Sequence, residues 1–222
     1  ALASAGVDGI LMENSYDQTQ QSVGSVPYME PRLDTAACLL VADIVKRVNQ
    51  LTQLPVGVSI LPNDPQSAAA IVWDVQGAFV LVRVFAGVMA TGQGLITGKA
   101  QILKAYYEML RTQEPAPLFA MLSLDHWVGN FNTGAGFYGM SGIQNFSQMA
   151  DSFFQASLHH LIHVIDTFLS VPVTIDGFVI PSNLVNASTL NHLKKHLLAK
   201  TGHQMPILLF EERQGDSVTS LY

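Results

Sequence analysis

The sequence predicts an α/β protein, a (β/α)8 barrel that is incomplete in this chain. Short runs rich in Val, Ile and Leu alternate with longer stretches of helical spacing, which is typical of parallel strands joined by helices. The composition agrees, because 49% of the 222 residues are hydrophobic and 13% are charged, as in sheets whose strands are buried on both faces. Residues 1–222 are expected to form a single partial barrel domain.

Six strand runs and five helical runs follow one another along the chain. The strands are predicted at residues 7–13, 55–61, 78–85, 118–124, 173–180 and 206–210. The helices are predicted at residues 33–51, 66–76, 99–111, 147–169 and 187–201. Long polar loops, which in compact domains are often functional, are predicted at residues 15–31, 86–98 and 129–142.

Three helix boundaries have clear local signals. Asn63-Asp64-Pro65 offers an N-cap followed by proline at the first helical position. Gly77 and Gly202 stand where helices are predicted to end, and glycine is the usual residue there because it adopts the left-handed conformation without strain.

Two observations favour a barrel over an open doubly wound sheet. No G-x-G-x-x-G motif follows the first strand, which argues against a dinucleotide-binding fold. Polar residues follow several strands instead of meeting at one switch point. A closed barrel needs more strands than the six predicted, and open sheet edges are normally paired or covered. We therefore expect further residues or a partner at the gap, and self-association into a homo-oligomer is one option.

Charge, hydropathy and cysteine content exclude several classes of protein. The net charge is −6 and the basic residues are scattered, so nucleic acid is not an expected partner. No apolar stretch is long enough to predict a membrane span. The single cysteine, Cys38, excludes an intrachain disulfide, and its apolar surroundings indicate a buried thiol. The expected location is the cytoplasm; import into an organelle is left open, because the chain begins as if within a helix already under way.

The candidate catalytic groups are Glu13 and Asp125, because each carboxylate ends a predicted strand and carboxylates at a barrel mouth can move protons. Arg83 lies within the apolar run FVLVRVF. A charge there needs a partner, and the alternatives are Glu13, Asp125 or an anionic substrate. His126 is adjacent to Asp125, so at most one of the two side chains points inward from a strand.

Each candidate ligand-binding residue lies late in a predicted strand or in the loop that follows it. They are Asn14, Asn63, Asp64, Arg83, Thr91, Gln93 and Gly94. Capping is the structural alternative for Asn14, Asn63 and Asp64, and a plain surface loop is the alternative for residues 91–94. A small-molecule ligand is therefore expected, while the cofactor is unknown and no metal site is predicted.

Histidines on the fourth predicted helix have a spacing that occurs in metal sites. His159 and His163 are four residues apart, but the glutamate of an H-E-x-x-H motif is missing and the neighbours are apolar. Structural or surface histidines are therefore the favoured interpretation.

Three segments carry a resemblance to a known family: AGVDGILMEN at 5–14, LPVGVSILPND at 54–64 and VRVFAGVMATGQGLITG at 82–98. In these segments the chain resembles the BtpA family, a group of TIM-barrel-like proteins named for a role in photosystem I biogenesis. The resemblance implies a TIM-barrel-like fold. It covers the first half of the chain well and weakens beyond residue 129.

The chain departs from the family pattern at Ser59 and Phe85, where the family has asparagine, and at Gly92, where it has aspartate. The resemblance therefore does not by itself imply that the family's activity survives. One hypothesis is an enzyme of unknown reaction acting on a small polar metabolite, phosphorylated or nucleoside- or sugar-like, at the barrel mouth. The alternative is a non-catalytic assembly or stability factor for a protein complex, so the sequence does not decide whether the protein is an enzyme.

Overall fold

The computed structural model describes residues 6–14, 32–61, 63–91, 94–109, 116–122, 126–127 and 146–210. Within these ranges the strands are β1 (Ile10–Glu13), β2 (Val56–Ser59), β3 (Phe79–Val82), β4 (Val88–Thr91), β5 (Gly94–Thr97), β6 (Leu118–Met121), β7 (His126–Trp127), β8 (Gly177–Pro181) and β9 (Ile207–Phe210). The helices are α1 (Thr35–Thr52), α2 (Pro65–Val75), α3 (Ala100–Met109), α4 (Phe146–Ser170) and α5 (Ala187–Thr201), and Ser182–Leu184 form a turn of 3₁₀ helix.

The main sheet has six parallel strands in the order β1-β2-β3-β6-β8-β9, which is also their order along the chain. The register places Glu13 opposite Ser59, and Leu81 opposite Phe119. Because the order never reverses, the sheet has no switch point of the doubly wound kind. It is the curled sheet of a half-barrel, which confirms the predicted incomplete (β/α) barrel. The extent of the domain, residues 1–222, stays a prediction.

Alternate strand residues face two different environments. Val56, Val58, Val80 and Val82 pack with apolar side chains of the helices in the large core. A separate small cluster, centred on Leu81, Phe119 and Val179, lies on the other face and contains only strand residues. Since side chains along a strand alternate between faces, the helices cover the outer face, and the small cluster marks the concave inner face.

Two glycines make room for aromatic rings on the inner face. A Cβ atom at Gly57 would lie 2.2 Å from the Phe79 ring, and one at Gly177 would lie 2.3 Å from the Phe119 ring. The two rings contact each other with centroids 5.1 Å apart, a separation favourable for tilted aromatic pairs. The inner face is therefore filled below the carboxyl ends of the strands, which leaves the mouth as the place for polar groups.

The predicted helix signals are largely confirmed. Asp64 caps α2, with Pro65 in the first turn, and Gly202 ends α5 in the left-handed conformation, at φ 76°. At the end of α2 the left-handed residue is Gln76, at φ 54°, and Gly77 follows it. Gly77 serves close packing instead, because a Cβ there would lie 3.2 Å from the Val56 carbonyl oxygen.

The prediction of a polar loop at residues 86–98 is wrong. Strands β4 and β5 form an antiparallel hairpin there, and β4 also pairs with β7, which follows β6. The glycines of this segment concealed two runs of β-forming residues, VMAT and LIT. A Gly-X pair between such runs is a hairpin signal. The three strands β5, β4 and β7 form a second sheet. Because they follow β3 and β6 along the chain, this sheet begins at the carboxyl edge of the main sheet.

Candidate functional site

An ion pair between Glu13 and Arg83 lies at the carboxyl edge of the sheet. Arg83 Nη2 donates to both carboxylate oxygens of Glu13 at 2.8 Å, and Nε donates to Oε1 at 3.2 Å. The side chains are largely buried, at 24% exposed for Arg83 and 13% for Glu13. The sequence left Glu13, Asp125 and an anionic substrate as possible partners of Arg83. In the structure Arg83 pairs with Glu13.

The pair crosses the strand that lies between its two partners. Glu13 ends β1 and Arg83 follows β3, while Ser59 ends β2 between them. Two strand spacings amount to about 10 Å, so the long arginine side chain is what spans them. A small residue at position 59 leaves the pair room to form. Ser59 is 1% exposed, and its register with Glu13 places both side chains on the inner face.

Two polar groups at the carboxyl ends of β1 and β2 lack a hydrogen-bond partner among the residues that the structure describes. They are the Ser59 hydroxyl and the Asn14 side-chain nitrogen, Nδ2, and both atoms are buried. The Asn14 oxygen is used, because Oδ1 accepts from the Leu61 backbone nitrogen at 2.6 Å. Buried polar groups are normally paired, so two unpaired ones at one edge indicate a place where a ligand or water completes the bonding.

Asn63 is fully engaged by backbone groups. Its Nδ2 donates to the carbonyl oxygens of Val84, at 2.9 Å, and Thr97, at 3.2 Å. Its Oδ1 accepts from the Val84 nitrogen at 3.1 Å. Asn63 therefore joins the end of β3 to the end of the hairpin. This geometry gives it a positioning role, and its predicted contact with a ligand stays a prediction.

Asp64 is held in the same way by groups of the protein. Its Oδ1 accepts from the Ser67 backbone nitrogen at 3.1 Å, and Oδ2 accepts from the Ser67 hydroxyl at 2.6 Å and from the Leu33 nitrogen at 2.9 Å. The carboxylate thus caps α2 and fixes the approach to α1. A ligand role for Asp64 stays a prediction beside this structural one.

The hairpin carries two further predicted residues, Thr91 and Gly94, and His126 lies on the strand that pairs with it. Thr91 ends β4 and pairs with Gly94 at the start of β5. His126 lies in β7 and pairs with Met89. Gln93 and Asp125 lie outside the described residues, so the acid–base role of Asp125 and the ligand contacts of residues 91–94 stay predictions.

Lys99 is absent from the residues predicted from sequence, yet it is 8% exposed. It lies directly before α3, and its backbone nitrogen donates to the Val84 oxygen at 3.2 Å. Lys99 also takes part in a further interaction. A cation at a helix N-terminus opposes the helix dipole. This unfavourable placement can be read from the segment ITGKAQIL, and it is the sequence signal that could have identified Lys99 as a candidate site residue.

Two of the positions that depart from the family pattern have different surroundings. Ser59 faces the mouth, as described above. Phe85 is fully buried, and its ring lies 5.5 Å from that of Phe168 in α4. Position 85 therefore belongs to the core in this chain, and the departure there adds packing instead of removing a group from the site. Gly92 lies outside the described residues.

Cys38 offers no thiolate at neutral pH, and the described residues contain no metal-ligand cluster. Burial raises the pKa of the Cys38 thiol, and the carboxylates of Asp64 and Asp34 act in the same direction against a hydrogen bond with Ser67. The thiol is therefore protonated at neutral pH, and it is half-buried. Within the described ranges no three His, Cys, Asp or Glu side chains come together to hold a metal ion.

A curled parallel sheet in chain order, with helices on its outer face and polar groups at its carboxyl edge, defines a (β/α)-barrel protein. The model of the BtpA family matches residues 1–130, more than half of the chain. The chain therefore belongs to the BtpA family.

Three curated relatives illustrate the similarity. The photosystem I biogenesis protein BtpA of Synechocystis is 43% identical over 106 residues, which cover 48% of this chain and 34% of the relative. Uncharacterised proteins of Methanocaldococcus jannaschii and Thermococcus kodakarensis are 31% and 33% identical over 129 residues, covering 56% and 57% of this chain. Both of these matches cover 44% of the relative, so the chain spans less than half of these proteins. No solved structure matches the chain.

One property bears on partners. None of the helices in the part of the chain that the structure describes has the length and apolar character needed to cross a bilayer.

Proposed function

We propose that the protein binds a small polar metabolite, phosphorylated or nucleoside- or sugar-like, at the mouth of its half-barrel and acts on it as an enzyme. The observation that carries this proposal is the Glu13–Arg83 pair, which spans β2 beside the unpaired hydroxyl of Ser59. An ion pair beside unpaired polar groups is a costly arrangement for stability alone. Binding sites tolerate such a cost, because ligand groups complete the bonding.

The roles of the two charged residues follow from their geometry. Three hydrogen bonds from Arg83 hold the Glu13 carboxylate in one orientation, which suits a group that accepts a proton or a hydrogen bond from a substrate. Asp125 is the proposed second acid–base group. A cytoplasmic location is part of the same proposal.

The experiment separates a binding role of the ion pair from a structural one. Replacing a buried pair by apolar residues of similar volume is often neutral for stability. The double variant Glu13→Leu/Arg83→Met is therefore expected to keep the wild-type melting temperature, while the single variant Arg83→Met loses stability. Both variants are screened by thermal shift against a panel of metabolites that shift the wild-type protein.

The outcome is decided by the double variant. Loss of every ligand-induced shift in a folded Glu13→Leu/Arg83→Met protein supports binding at the pair. Retention of the shifts would place binding elsewhere and contradict the proposal. The variant Asp43→Leu/Arg47→Met is the matched control, because it removes a surface pair on α1 with a similar N–O distance of 2.8 Å.

A second candidate function is a non-catalytic assembly factor. The observation that favours it is the outer surface of α1, where Leu40 and Leu51 are 61% and 84% exposed. Ile44, at 38% exposed, lies on the same face at helical spacing, and contiguous exposed apolar patches are typical of interaction surfaces. The Synechocystis relative is named for photosystem I biogenesis, so photosystem I subunits are the partners to test. Leu40→Glu should abolish binding of purified subunits if this surface serves assembly, and unchanged binding would contradict that role.

A further inference from the structure

The chemistry of the Glu13–Arg83 pair selects among the ligands proposed above. We propose that the group bound at this edge is an uncharged vicinal diol, as in a sugar or the ribose of a nucleoside, and not a phosphate. This inference rests on the proposed function and narrows it to one ligand chemistry.

The charges of the ion pair disfavour an anionic ligand. Arg83 uses both Nε and Nη2 to bind Glu13, so the fork that would grip a phosphate faces a carboxylate instead. The pair has no net charge. An anion bound beside Glu13 would meet a like charge at short range and in a partly buried setting, where repulsion is weakly screened.

The Glu13 carboxylate can still accept a further hydrogen bond. A carboxylate offers about four acceptor positions, and the contacts with Arg83 use two on Oε1 and one on Oε2. The group that completes Glu13 must therefore donate a hydrogen bond. A phosphate dianion only accepts hydrogen bonds, whereas an alcohol hydroxyl both donates and accepts.

The unpaired hydroxyl of Ser59 also fits an alcohol. This hydroxyl can donate and accept, and it has no partner within the described residues. Ser59 is 1% exposed and on the same face as Glu13. A ligand at this place needs a donor toward Glu13 and a group that pairs with the Ser59 hydroxyl. Two neighbouring hydroxyls supply both in one group.

The test compares two ligands that differ in one hydroxyl, together with a second sugar and an anion. Binding of methyl ribofuranoside, methyl 2-deoxyribofuranoside, methyl glucoside and inorganic phosphate to the wild-type protein is measured by titration with ligand-observed NMR. We expect methyl ribofuranoside or methyl glucoside to bind. Loss of the 2-hydroxyl removes the ring diol of the furanoside and should weaken binding about tenfold, as expected for one hydrogen bond to a charged group.

The key variant is Ser59→Ala, with Tyr107→Phe as its matched control. Both remove a buried hydroxyl that lacks a partner in the described part of the chain, so both should keep the melting temperature of the unliganded protein or raise it by about 2–4 °C. The charge of Asp176 acts on Tyr107. Asp176 directly precedes β8, so it lies at the amino ends of the strands, opposite the mouth. Ser59→Ala should weaken diol binding about tenfold, for the loss of one hydrogen bond, while Tyr107→Phe leaves it unchanged.

Each outcome bears on one of the two proposals. Phosphate binding that Glu13→Leu/Arg83→Met abolishes, without diol binding, would overturn this inference and leave the proposed function standing. Diol binding that is the same in wild type, Ser59→Ala and Glu13→Leu/Arg83→Met would place the diol elsewhere and overturn the inference. If none of the probes binds, the inference is overturned, and the metabolite panel then decides on the proposed function.

Discussion

The side chain of Asn63 and the backbone of Val84 hold each other by two reciprocal hydrogen bonds, of 2.9 and 3.1 Å. Asn63 follows β2, and Val84 lies one residue after Arg83. The side-chain amide thus extends the hydrogen bonding between β2 and β3 beyond the carboxyl ends of these strands. Because Nδ2 also donates to Thr97, one buried side chain fixes the segment that carries Arg83 and the base of the hairpin.

Replacing Asn63 by aspartate should destabilise the protein strongly. A carboxylate cannot donate to the oxygens of Val84 and Thr97, and it would place a buried negative charge against two carbonyl groups. We expect a loss of about 2–4 kcal/mol in the free energy of unfolding, measured by urea titration. Asn191→Asp on the exposed face of α5 is the control and should change stability little. A small effect at Asn63 would mean that the amide does not hold the edge together.

Asp64 should contribute more than an ordinary helix cap. The variant Asp64→Ala loses the bonds to Ser67 and also the bond to the Leu33 nitrogen. We expect a cost of about 2–3 kcal/mol, against about 1 kcal/mol for Asp34→Ala, which removes the exposed cap of α1. Equal costs in chemical denaturation would show that the link to Leu33 contributes nothing.

Sequence and structure agree best where a local signal sets the outcome. The order Asn-Asp-Pro predicts the cap of α2, and a charge inside FVLVRVF predicts that Arg83 needs a partner. The sequence does not predict the β4–β5 hairpin, because the glycines of this segment are also typical of a loop. Two features depend on the register between strands that are distant in sequence. One is the unpaired hydroxyl of Ser59, and the other is the space that Gly57 and Gly177 leave for two phenylalanine rings, called here the glycine slots. No local pattern specifies that register, so these features required the structure.

The glycine slot at position 57 yields a steric prediction. A Cβ there would overlap the Phe79 ring at 2.2 Å, and overpacking of this kind costs about 2 kcal/mol. Gly57→Ala should therefore destabilise the protein, and adding Phe79→Leu should recover part of the loss. Gly202→Ala is the comparison: its Cβ meets nothing within 4 Å, so only the left-handed backbone at φ 76° is penalised, by about 1 kcal/mol. If Phe79→Leu gives no recovery, the slot is not the cause.

The contact between α4 and α5 should make stability depend on pH in the acid range. Partial burial raises the pKa of Asp166, but hydrogen bonds from His196 and Lys200 outweigh it and hold the pKa below the ordinary value of 3.8. Between the lowered folded pKa and 3.8, the unfolded chain binds more protons, so stability rises with pH there. The contribution is complete above about pH 5 and is lost as the pH falls through the folded pKa.

Asp166→Asn tests this contact. The side chain is 36% exposed, so we expect a loss of only about 0.5 kcal/mol at pH 7, reduced further in 1 M salt. The difference between wild type and variant should shrink as the pH falls below about 4. Asp43→Asn, in an exposed pair on α1, is the control. A difference that stays constant from pH 7 to pH 2 would contradict the assignment.

The buried hydroxyl of Tyr107 lacks a hydrogen-bond partner among the described residues. Burial raises the pKa of this phenol, and the nearby charge of Asp176 raises it further, so the group stays neutral and contributes no charge interaction. Removing an unsatisfied hydroxyl relieves its desolvation cost without creating a large cavity. Tyr107→Phe should therefore raise the free energy of unfolding by up to about 1 kcal/mol. A loss of stability would mean that the hydroxyl is bonded in solution, for example to an ordered water, and Tyr106→Phe on the same helix would show whether that bond is specific to position 107.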